Sequence, residues 1–68
     1  MDGQLRRLTP RTWEGTLRGY RVQVFRCGAG WFAHVMNPRG HTEACRPAAS
    51  LADGAAVARA WVERRGDG

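Results

Sequence analysis

The sequence predicts an α+β domain: an antiparallel meander of three to four strands with one C-terminal helix packed on one face. Two segments, 20–27 (YRVQVFRC) and 31–36 (WFAHVM), alternate apolar and polar residues with the period of two that half-buried strands require. The period then changes: Leu51, Ala55, Ala58 and Val62 recur at i, i+4, i+7 and i+11, which is one face of a helix. The length, 68 residues, is that of one domain, and its core must be small.

Taken from the N-terminus, residues 1–11 (MDGQLRRLTPR) are polar, basic and closed by Pro10, which predicts a flexible basic arm ahead of a folded domain over 12–66. Residues 12–17 (TWEGTL) read as a strand and Arg18-Gly19 as a tight turn into the strand at 20–27. Gly28-Ala29-Gly30 breaks the pattern before the strand at 31–36. Asn37-Pro38-Arg39-Gly40 is a hairpin signal, since Pro presets φ at the second position and Gly accepts the positive φ that closes the loop. A shorter strand, roughly 41–46, is expected to stop at Pro47, which has no N–H for a ladder. Ser50 is a good N-cap, with Asp53 three residues on. Gly54 is expected to weaken the helix locally. Arg64 and Arg65 suit its negative end, Gly66 stops it, and the tail beyond is expected to fray.

Pairing these strands separates two faces. If Arg18-Gly19 is a two-residue turn, Leu17 faces Tyr20 and Trp13 faces Val24; if the loop at Gly28 is of even length, Val24 faces Ala33 and Val22 faces Val35. One face then collects Trp13, Leu17, Tyr20, Val22, Val24, Trp31, Ala33 and Val35 for the helix to cover. The other shows Thr12, Glu14, Thr16, Arg21, Gln23, Phe25, Phe32, His34 and Met36, with no second helix to cover it. A bulge at Gly40 would shift the fourth strand by one residue.

The formal net charge is +5, carried by arginine with no lysine, which favours phosphate or acidic partners. No apolar run has the length of a membrane span and no leader pattern opens the chain, so a cytoplasmic protein with reduced thiols at Cys27 and Cys45 is expected. Catalytic constellations are lacking: no nucleophile elbow, no phosphate-cradling glycine loop, no paired carboxylates. Cys27, His34, His41 and Cys45 are the right types for a Cys–His pair or for zinc, but their spacing, Cys-x6-His-x6-His-x3-Cys, lacks the close pairs of a structural zinc site. No enzyme activity, metal, cofactor or small-molecule substrate is expected.

The stretch WFAHVMNPRG, followed by a short strand and SLADGAAVARAWV, resembles the arm-type DNA-binding domain of tyrosine integrases, whose pattern is W-[YF]-A-x-V-x-[DN]-P-x-G ahead of a helix with small residues and a Trp. The resemblance covers about half the chain. It implies a sheet whose outer face enters the DNA major groove, with Phe32, His34, Met36 and Arg39 towards DNA. The order of sheet and helix, with SLADGAA opening the helix, is also similar to HicB-type antitoxins, in which the sheet engages protein.

Exposed aromatics with cations nearby stack nucleobases while the cations hold phosphate. The expected function is therefore non-enzymatic binding of nucleic acid, DNA in the first place, through Arg21, Phe32, His34, Arg39 and Arg46. The competing expectation is protein–protein interaction: a homodimer closed over Phe25, Phe32 and Met36, or an antitoxin-like contact with another protein.

Overall fold

Three hairpin turns fix the sheet from Thr12 onward, and a further two-residue turn, Pro10-Arg11, brings in the first strand. In the computed structural model, which describes residues 5–66, Arg18 and Gly19 have φ of 52° and 83°. Two successive positive φ values make a two-residue turn whose twist matches that of its flanking strands. Gly28, at φ 62°, opens the second turn, and Cys27 pairs with Gly30 across a loop of Gly28-Ala29. In the third, Asn37 Oδ1 accepts the backbone N–H groups of Arg39 (2.9 Å) and His41 (3.1 Å), while Gly40 sits at φ 87°. Arg18 is the sole non-glycine residue with positive φ among those described, and a residue with a Cβ is disfavoured there by about 1 kcal/mol.

The strands so joined are β1 (Arg6–Thr9), β2 (Thr12–Leu17), β3 (Tyr20–Cys27), β4 (Gly30–Met36) and β5 (Thr42–Ala48), and the helix is α1 (Leu51–Gly66). The five strands lie in one antiparallel sheet in chain order. The α+β class and the meander are as the sequence predicts. The strand count is not: the sheet has five strands, because residues 6–9 of the expected arm pair with β2. Residues 1–4 of that arm and the tail at 67–68 lie outside the described residues. Pro47 does not end β5, which runs on to Ala48 with Pro47 opposite Phe32. The reason is position: β5 is an edge strand, where a residue without an N–H removes no ladder bond on the solvent side.

The register follows the expected pairing, with Trp13 opposite Val24, Leu17 opposite Tyr20, Val24 opposite Ala33 and Val22 opposite Val35. A bulge between Val35 and Met36 takes Glu43 out of the ladder, so that Ala44 and Ala48 face α1 while Cys45 and Pro47 face away. The core comprises Leu17, Val22, Val24, Ala33, Val35 and Ala44 of the sheet with Ala58 and Val62 of α1, and Tyr20, Trp31, Leu51, Val57 and Trp61 pack around it. Ser50 caps α1 through its hydroxyl, which accepts the Asp53 N–H at 3.1 Å, and the Asp53 carboxylate accepts the Ala49 N–H at 2.8 Å. At the other end of α1, Glu43 accepts from Arg65 Nε at 3.1 Å and from Asn37 Nδ2 at 3.3 Å, tying the helix to the third hairpin. Among the described residues no helix is long and apolar enough to cross a membrane.

Candidate functional site

With α1 on one side, no described element covers the other side of the sheet, and strand pairing arranges its side chains in three cross-strand rows. The first row is Thr12, Phe25, Phe32 and Pro47; the second is Arg6, Glu14, Gln23, His34 and Cys45; the third is Thr16, Arg21, Met36 and Thr42. Neighbouring rows are about 7 Å apart, since each is two residues along its strands.

In the first row the rings of Phe25 and Phe32 stack with centroids 5.7 Å apart and planes inclined by 26°. Both rings are half-buried and retain exposed surface. Cross-strand aromatic pairs of this kind add roughly 0.5–1.5 kcal/mol to what area burial gives, so they hold their rotamers without help from a covering layer.

The second row is a hydrogen-bonded rail across the sheet. Gln23 Nε2 donates to Glu14 Oε1 at 3.1 Å, which turns its carbonyl oxygen to His34 Nδ1 at 3.4 Å. That oxygen only accepts, so Nδ1 carries the hydrogen, and in the neutral ring Nε2 accepts from the Thr42 hydroxyl at 2.7 Å. Both ring nitrogens of His34 are thus engaged, and neither is directed at Cys45, its neighbour across the strand. A Cys–His nucleophile pair needs a nitrogen free to take the thiol proton. Cys27 and Cys45 are free and exposed. Among the described residues no group of three or more His, Cys, Asp or Glu side chains is gathered closely enough to hold a metal ion.

The third row ends in a cleft of about 160 Å³ between the first and third hairpins, lined by Thr16, Gly19, Arg21, Met36, Asn37 and Pro38. It is smaller than the pockets of about 300–1,000 Å³ that enclose metabolites. Arg21 reaches back to Glu14, Nε to Oε1 3.7 Å, with 60% of its side chain exposed. An ion pair that open to water contributes little and leaves the guanidinium available.

The structure brings Arg21, Phe25, Phe32, His34 and Met36 together on the open face and sets Arg39 on the hairpin at its end. It does not bring Arg46 there. Arg46 pairs with core residue Ala33 and so projects to the helix side, where its guanidinium lies 5.4 Å from the centre of the Trp61 ring. Arg6 joins the open face, opposite Glu14, through the strand that sequence reading took for an arm. On the other side of the same segment Leu5 packs on the core and Arg7 lies 5.6 Å from the centre of the Trp13 ring, and the run LRRL carries no alternation that would have announced it. No family model, no curated protein and no solved structure matches the chain.

Proposed function

We propose that this chain is a non-enzymatic module that binds single-stranded nucleic acid, DNA in the first place, on the open face of its sheet. The observation that carries the reading is the stacked Phe25–Phe32 pair, presented on a rigid sheet beside a hydrogen-bonding row and cations. Open sheet faces with accessible aromatics stack two or three unpaired bases, and sequence preference is weak because every base has a π-face. Phe25 and Phe32 provide the platform. His34 and Gln23, one row away, offer edges to a base, and Arg6, Arg21 and Arg39 meet phosphates. A duplex keeps its base faces inside the stack, so the Phe pair supports unpaired bases over major-groove docking.

The same rail weighs against a homodimer over this face. The polar row runs between the Phe pair and Met36 and so divides the apolar positions. Self-association would bury Glu14 and its partners against their own kind, and buried charge is costly unless it is matched.

The test is fluorescence anisotropy of a labelled mixed-sequence single strand across a salt series, with DNA and RNA arms. Binding should weaken with a slope of about −2 or steeper in log K against log salt, from about 0.7 per phosphate for three or more contacts. Absence of binding at low salt in both arms overturns the reading. Light scattering on the same samples addresses the competing one: a dimer that persists at high salt and dissociates in Phe32→Arg would establish the homodimer instead.

A further inference from the structure

The arginines on the helix side raise a separate question, because two of them converge on one ring. Arg46 of β5 and Arg64 of α1 lie 5.4 Å and 5.9 Å from the centre of the Trp61 indole. Both are exposed, and among the described residues no carboxylate forms an ion pair with either one. The nearby acid on β5, Glu43, is taken by Arg65 and Asn37. Both guanidinium carbons lie within 6 Å of one centroid, so they are like charges near one another, and a bound anion that reached both would offset their repulsion.

The ring itself shows a cost that core packing does not explain. Trp61 Nε1 is buried with no acceptor, a loss that a phenylalanine at this position would avoid. What the indole provides is the broadest and strongest cation-binding face among side chains. Stacking on that face orients each guanidinium and leaves its N–H edge free for a bidentate acceptor such as phosphate.

We infer that Arg46 and Arg64, carried on Trp61, form a clamp for a phosphate of the nucleic acid backbone; this rests on the single-strand reading and extends it around the edge of the sheet. Position supplies the connection. Arg46 directly precedes Pro47, and Pro47 closes the row that begins with the two phenylalanines. The end of the aromatic platform and the clamp are therefore adjacent residues of one edge strand, projecting to opposite faces, with Cα atoms about 3.8 Å apart. A strand whose bases stack on Phe32 has only to pass over β5 to place its next phosphate between the guanidiniums.

The experiment has two arms on the full chain. In the first, pyrophosphate is titrated into isotope-labelled protein and followed by NMR at the arginine Nε–H and tryptophan indole signals. Saturable shifts at Arg46, Arg64 and Trp61, lost in Arg46→Gln/Arg64→Gln, are expected; no shift, or the same shifts in the double variant, overturns the clamp. In the second, the double variant's salt dependence with the single-stranded oligonucleotide should be shallower by about 1.4, two contacts at 0.7 each. An unchanged slope overturns the clamp as part of the strand's path. Pyrophosphate shifts without oligonucleotide binding would leave a clamp for free phosphate groups and remove the single-strand reading, so the two failures are distinguishable. Should the double variant not fold, Arg64→Gln on the exposed helix surface carries both arms. Trp61→Phe should keep the thermal midpoint within a few degrees of the parent while weakening the pyrophosphate response, which a purely structural role for Trp61 would not do.

Discussion

Phe32→Ala should weaken binding of a single-stranded oligonucleotide by roughly 5- to 150-fold, the equivalent of about 1–3 kcal/mol for one lost base stack. The range is wide because stacking depends on how much of the ring a base covers, but the direction follows from the geometry. Phe32 is stacked on Phe25, half-buried, and retains exposed surface. Removing it takes away platform without opening a cavity in the core, since its neighbours inside the sheet, Ala33 and Val35, are buried beneath α1. The melting midpoint should therefore move far less than the affinity. The salt slope should stay the same, because no phosphate contact is lost. Phe25→Ala should behave alike, and the double variant should fall short of the sum because the rings support each other. Equal affinity for the wild type and Phe32→Ala, measured by anisotropy at one salt concentration, would remove the aromatic pair from the interface.

Gly54→Ala should destabilise the fold, although replacing a helical glycine by alanine usually does the opposite. On helix propensity alone the change would gain about 1 kcal/mol. A Cβ at position 54, however, would lie 2.6 Å from Val24 Cγ1 and 3.3 Å from Cγ2. Val24 is 0% exposed, at the centre of the sheet, and its branched side chain is held to one rotamer by its neighbours. The helix must then lift from the sheet, and overpacking of a filled core costs about 1–3 kcal/mol. The net expectation is a loss of up to about 2 kcal/mol, or up to about 15 °C in the thermal midpoint for a domain of this size. Val24→Ala in the Gly54→Ala background should recover part of that loss, a coupling of at least about 1 kcal/mol in a double-mutant cycle. Independent effects of the two substitutions would show that the helix does not sit on Val24 in this way.

Gly54 also shows where sequence reading stops. Its helical context was legible and its role was not: read locally it weakens α1, whereas in three dimensions it is the point of closest approach between helix and sheet. Most of the scaffold was written in periodicity and turn chemistry. The alternation over 20–27 and 31–36, joined by turns that admit positive φ at Gly19, Gly28 and Gly40, is enough to place Phe25 and Phe32 side by side on the face away from α1. Three features were hidden because they depend on neighbours in space. Pro47 continues a strand because that strand is an edge, and edge position is a property of the whole sheet. Residues 6–9 form a strand because β2 offers them a free edge, not because RRLT carries a strong pattern of its own. The parity of β5 was concealed in the same way: the bulge at Glu43 sends Arg46 to the helix side, away from the residues with which sequence reading grouped it. That displacement is what sets it over Trp61.

The central claim, that the open face of the sheet receives unpaired bases, is tested most directly by mapping NMR shift changes when a short single-stranded oligonucleotide is added to labelled protein. The account predicts that the largest changes fall on Phe25, Phe32, His34 and Gln23, with the buried contacts of Val24 and Val62 undisturbed. Changes confined to the helix surface, or none on the Phe25 and Phe32 rings at saturation, would contradict it.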